Sequence, residues 1–285
     1  MKKYLPASLA VTMLLAFPSA AQDPGPPSDF PGLSGLPLGG AGPRPPMGKF
    51  QYPESKPAAQ QPDAKVLSVM TPQQKAATFM KNVKVTITDK YLLVESDGIP
   101  NHPHADFPTW YNPNRILKQD YHFKIPLNPQ FAEKTTKTPF GPIGVAINGI
   151  PFYNPYNAQG RDAVMGPNAE VFDSCCGHPD QMGRYHYHKY PTCINNPFKD
   201  EPGKHSVLIG WAFDGFPIYG PNGNDGKPPK DLDANNGHID AEHGYHYQCT
   251  EKFPYIIGGY TGVVDFSNFE GPQVFGNPLQ PPGGR

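Results

Sequence analysis

His186 and His188 stand two residues apart, each preceded by a tyrosine, in the stretch GRYHYHKYPTC (183–193). GYHYQC repeats the pattern at 244–249 and puts His246 in the matching place. In an extended strand alternate side chains share a face, so residues 186 and 188 project together, their Cα atoms about 6–7 Å apart. Two imidazoles at that spacing can converge on one ion, and a third ligand from elsewhere completes the site. Neutral imidazole suits zinc, copper, nickel or non-haem iron. The competing reading is structural: the rings hydrogen-bond carbonyls and tyrosine hydroxyls in proline-rich loops, whose backbone groups otherwise lack partners.

Comparing the chain with itself extends the pattern. AINGIPFYNP (146–155) matches AFDGFPIYGP (212–221), and GHPDQMGRYHYH (177–188) matches GHIDAEHGYHYQ (237–248), in the same order. Such self-similarity predicts two related β units, packed with approximate two-fold symmetry in one domain. His178 and His238 precede the paired tyrosine-histidine motifs by the same interval and are expected to swing inward from loops. Gln248 stands where the first unit has His188, which argues against two equal sites. One site of mixed ligands across the pseudo-symmetry is expected instead: His186, His188 and His246, completed by His178 or His238. His102 and His104, in NHPHADFP, form a second His-x-His pair. Pro103 between them suggests a loop, and they are further candidates for the site. His122 and His205 are lone histidines, expected in ordinary packing or surface roles. Asp180 and Asp240 occupy equivalent positions, where they either orient a ring nitrogen or cap the turn.

The elements that must hold these rings are β-strands. VKVTIT (83–88), YLLVE (91–95), YHFKIPL (121–127) and IGVAIN (143–148) carry the pattern, and a short helix fits residues 71–80. Asn148-Gly149 and Asp214-Gly215 each lie between β-prone runs, a strong hairpin signal. The fold class expected is mainly β: a single loop-rich β domain of two related hairpin-containing units over residues 65–265. Residues 1–21 fit a signal peptide, with Lys2-Lys3, an apolar run too short to span a bilayer, and a small-residue exit. Residues 22–64 are rich in proline and glycine and read as a disordered linker, and 266–285 as a loose tail. The formal net charge of -1 supplies no basic surface for nucleic acid, and no later stretch spans a membrane. A secreted or periplasmic location follows.

Four cysteines in an exported chain favour disulfides. Bridging the neighbours Cys175 and Cys176 would strain the backbone, so two pairings remain. The preferred one is Cys175–Cys193 with Cys176–Cys249, which would tie the two units together.

CCGHPDQMGRYHYHKYPTC, HSVLIGWAFDGFPIYGP and YHYQCTEKFPYIIGG closely resemble the YHYH domain family, named for its Tyr-His-Tyr-His motif. SDGIPNH and VAINGIPFYNPYNAQGRDAV fit the same family, so the resemblance spans roughly Val83 to Gly262. It implies an exported or cell-envelope protein and supplies no reaction. Family members often have glycine where Cys176 stands, cysteines where Asn235 and Gly259 stand, and a second complete motif that Gln248 interrupts. The resemblance thus implies one bridge exchanged for another.

The leading expectation is an exported protein that binds one transition metal ion, copper or zinc, at the cell envelope. Two alternatives stand beside it. In one, the ion keeps an open position and the protein is a hydrolase or oxidoreductase. In the other, a metal-free module uses loops such as FPTWYNPN to contact a polymer or an envelope protein.

Overall fold

The computed structural model describes residues 69–194 and 200–269. The segments read as signal peptide and linker lie outside them, as does the tail beyond residue 269. The first four residues assigned to that tail form a 3-10 helix, Phe266–Phe269, with Phe269 buried in the core.

A helix, α1 (Pro72–Ala77), opens the described region, and its start is chemically marked. Thr71 and Gln74 form a reciprocal capping box, and proline occupies the first turn, where its missing N–H costs nothing. Strands β1 (Lys84–Ile87), β2 (Tyr91–Ser96) and β3 (Tyr121–Pro126) follow as an antiparallel three-stranded sheet. The alternation in the sequence is the alternation of burial. Leu92, Val94, Tyr121, Phe123 and Ile125 are buried in the core, while His122, between Tyr121 and Phe123, faces solvent. Burying each such side chain contributes about 1.5–3 kcal/mol.

The remaining strands are β4 (Phe131–Lys137), β5 (Pro142–Ala146), β6 (Pro151–Tyr153), β7 (Gly177–Pro179), β8 (Tyr185–Tyr187), β9 (Leu208–Ala212), β10 (Pro217–Tyr219), β11 (Gly237–Asp240), β12 (Gly244–Gln248) and β13 (Gly259–Gly262). β4 and β13 pair as a two-stranded ribbon. The other eight form one sheet in the order β11-β12-β10-β9-β5-β6-β8-β7. Outward from its centre, β5-β6-β8-β7 mirrors β9-β10-β12-β11. Each half is a tight hairpin (β5–β6, β9–β10), a parallel neighbour (β8, β12) and an antiparallel edge strand (β7, β11). Gly149 and Gly215 supply the positive φ that each hairpin turn requires.

The register at the centre is that of a two-fold axis. Val145 pairs with its own repeat, Trp211, while Gly144 pairs with Ala212 and Ala146 with Gly210. The two matched positions exchange partners, as a self-complementary interface demands. Both strands are wholly buried, and the three-stranded sheet covers them, with Phe123 against Phe213 at 5.1 Å between ring centroids. Helix α1 is anchored on the same core. Lys75 donates to the Leu127 carbonyl at 2.9 Å and lies over the Trp211 ring, whose Nε1 donates to Thr78 at 3.0 Å.

Cys175 and Cys193 form a disulfide, but the expected Cys176–Cys249 bridge does not exist and both thiols are free. The topology explains the correction. Cys176 precedes β7 at one edge of the eight-stranded sheet, whereas Cys249 follows β12 and pairs through its N–H with Tyr219 of β10 in the other half.

Candidate metal centre

Gly177-His178 and Gly237-His238, expected in loops, lie on β7 and β11. The pairing sets His178 directly opposite His186 and His238 directly opposite His246. Cross-strand neighbours on one face approach to about 4.5–5.5 Å at Cβ, so each pair of rings is brought together by the hairpin itself. Their position is fixed from behind. Asp173 accepts from the N–H groups of Cys175 and Gly177 and from the Tyr185 hydroxyl at 2.7 Å. Asp233 does the same with Asn235, Gly237 and Tyr245. Each glycine lies so close under its tyrosine that a Cβ there would overlap the phenol.

The histidines therefore assemble as two groups, one per unit, and not as the single cross-unit site that the sequence suggests. The first comprises Glu170, His178, His186 and His188, whose ligand atoms all lie within 4.8 Å of one another. The second comprises His205, His238, Asp240 and His246 under the same limit. The physical reason is strand order. β8 and β12, which carry His186 and His246, belong to opposite halves of the sheet.

In the first group the backbone settles the tautomers. His186 Nδ1 lies 2.9 Å from the Arg184 carbonyl and His188 Nδ1 lies 2.6 Å from the Asn154 carbonyl. A carbonyl only accepts, so both Nδ1 atoms carry a proton, and in the neutral rings both Nε2 atoms present lone pairs. Those two Nε2 atoms face each other at 3.0 Å. Glu170 Oε2 stands 3.0 Å from His188 Nε2 and 3.2 Å from His178 Nε2. The approach to His178 is close but poorly aligned. Glu170 Oε2 and His178 Nε2 are both buried, and neither has a well-formed hydrogen bond among the described residues. Burial pushes the His186 and His178 rings toward the neutral form. Tyr153 stacks on His186 at 3.8 Å between centroids, and its hydroxyl donates to Asp180.

Asp180 caps its turn and grips Arg184 at 2.7 Å, so it steadies the strand and does not touch a ligand ring. Asp240 caps the equivalent turn and also accepts from His243 Nδ1 at 2.9 Å.

The second group repeats the tautomer argument. His205 Nδ1 faces the Ser206 carbonyl, His246 Nδ1 the Gly244 carbonyl and His238 Nδ1 the Asp231 carboxylate, at 2.8, 3.0 and 3.1 Å. His246 Nε2 then meets His238 Nε2 at 2.9 Å and His205 Nε2 at 3.3 Å. Glu170 and His205 were not recognisable as candidates from sequence. Glu170 comes from the β6–β7 connection, which shares no matching motif with the equivalent β10–β11 connection, and His205 from the segment between β8 and β9 that joins the two units, so no spacing rule points to either.

His102 and His104 join neither group. His102 Nε2 bonds the Tyr187 hydroxyl and its Nδ1 the Pro103 carbonyl, so it braces the back of β8. His104 bonds the Ala105 carbonyl from an exposed loop. His122 faces solvent beside Asp120, as expected.

Residues 122–229 match the family model described as YHYH protein. The motif-based resemblance holds for that segment, which contains all of the first group and stops short of His238 and His246. No curated protein and no solved structure was found to match the chain.

Proposed function

We propose that the protein is an exported transition-metal-binding protein whose principal site is Glu170, His178, His186 and His188, with zinc or copper as the ion. The observation that carries this reading is the pair of Nε2 atoms facing at 3.0 Å beside a carboxylate oxygen, with each Nδ1 committed to a backbone carbonyl. Lone pairs converging in a buried space repel unless a cation lies among them, and burial disfavours a proton on His186 in that role. Three imidazoles and a carboxylate match the ligand preferences of zinc and copper, and four protein donors fill a tetrahedral shell. A filled shell favours binding or delivery over catalysis, which needs an open position. The Cys175–Cys193 disulfide and the N-terminal sequence pattern support export. No helix among the described residues is long and apolar enough to cross a membrane.

Elemental analysis of protein purified from its native compartment, beside a His186→Ala/His188→Ala variant, tests the reading. Loss of about one equivalent of zinc or copper in the variant is expected. Equal, sub-stoichiometric metal in both samples would overturn it. That outcome would favour the recognition alternative, to which the solvent-facing Trp110, edge-on to Tyr111 at 5.5 Å, lends support.

A further inference from the structure

Gln248 looks like a lost ligand in the sequence, yet its side chain imitates the histidine it replaces. In the first unit His188 donates through Nδ1 to the carbonyl of Asn154 and turns Nε2 toward the cluster. In the second, Gln248 donates through Nε2 to the carbonyl of Gly220, the repeat of Asn154, and to that of Asn222 at 2.7 Å. With the amide nitrogen committed to two acceptors, Oε1 faces His246 Nε2 at 3.0 Å. The His246 Nδ1 already donates to Gly244, so this is another contact between two lone pairs. Four such atoms converge: Nε2 of His205, His238 and His246, and Oε1 of Gln248. Tyr219 packs edge-on against His205 and His246, and its buried hydroxyl has no hydrogen-bond partner among the described residues.

We propose that the second unit forms its own divalent transition-metal site from His205, His238 and His246 with the carbonyl oxygen of Gln248, and that it holds the ion more weakly than the first. The order of affinity follows from charge. Glu170 places an anionic oxygen against two Nε2 atoms of the first group. The Asp240 carboxylate is held by His243 and by two backbone N–H groups, and stands 3.9 Å from His205 Nε2. A neutral amide compensates the ion less than a carboxylate does.

The inference rests on the first unit being a metal site, and the experiment separates the two. The full chain, stripped of metal, is titrated with Zn²⁺ against a chromophoric chelator. Two equivalents are expected, the second weaker by at least about tenfold. His238→Ala should abolish the weak step and leave the tight one, and His186→Ala the reverse. Gln248→His restores the imidazole that the first unit has, with the Gly220 carbonyl waiting for its Nδ1, and should tighten the weak step by about tenfold or more. A single equivalent, indifferent to His238→Ala and to Gln248→His, would overturn the second site and spare the first. No uptake at all would remove both.

Discussion

At the level of single residues, the candidate ligands that duplication marks are readable and the others are not. His178, His186, His188, His238 and His246 each recur, or nearly recur, at fixed spacing. Glu170 and His205 are placed by the path of unmatched connections, which spacing does not encode. Gln248 was legible as a departure, but its meaning depends on which carbonyls its amide nitrogen meets. Another matched pair differs instructively. Asn148 donates to the Tyr187 hydroxyl, and Asp214, its repeat, accepts from Tyr247 at 2.6 Å and from the Gly262 N–H at 3.0 Å. Burial raises the Asp214 pKa from 3.8 to about 6, although these hydrogen bonds oppose the rise. The groups around it are the phenols of Tyr245, Tyr247 and Tyr260. The folded chain thus retains a proton that the unfolded chain releases between about pH 4 and pH 6. This contribution to stability is full below about pH 4 and is lost as pH rises to about 6, a change of up to about 3 kcal/mol. Asp214→Asn should flatten that part of the profile, measured by denaturant unfolding at pH 4 and pH 6.5. A variant whose pH profile parallels that of the parent contradicts the assignment.

At the level of elements, alternation and turn chemistry revealed α1, β1, β2, β3, β5 and both central hairpins. β7 and β11 read as loops in the sequence, because three or four residues beginning with Gly-His carry no period that could reveal a strand. Their identity is set by a tertiary fact, the tyrosine packed over each glycine. Gly177→Ala or Gly237→Ala would drive a methyl into the phenol of Tyr185 or Tyr245 and displace its bond to Asp173 or Asp233. Each should cost about 1–3 kcal/mol of stability by overpacking. Urea unfolding of the two variants checks this, and an undiminished midpoint would show that the strand can shift freely. Each substitution should also spread the histidine pair on its own hairpin, β7/β8 or β11/β12, and leave the other hairpin's pair in place.

At the level of the whole molecule, the internal repeat foretold the two-fold arrangement, and the cysteine count misled. A Cys176–Cys249 bridge would need the two motif hairpins to lie side by side, whereas the repeats meet at β5 and β9. Thiol labelling tests the observed state. Under native, non-reducing conditions Cys176 should react, and Cys249 only after unfolding, since it is buried and burial raises its pKa. Mass mapping should recover the Cys175–Cys193 peptide in either case, and a Cys176–Cys249 peptide would contradict the topology. The β5–β9 seam has one more implication. A strand that pairs with its own repeat around an axis is what the centre of a homodimer looks like, here sewn into one polypeptide. Once two copies share a chain they no longer have to stay identical. Under the proposed metal binding, one half keeps a carboxylate for tenacious capture while the other has drifted toward an amide and quicker release, a division of labour that identical subunits cannot reach.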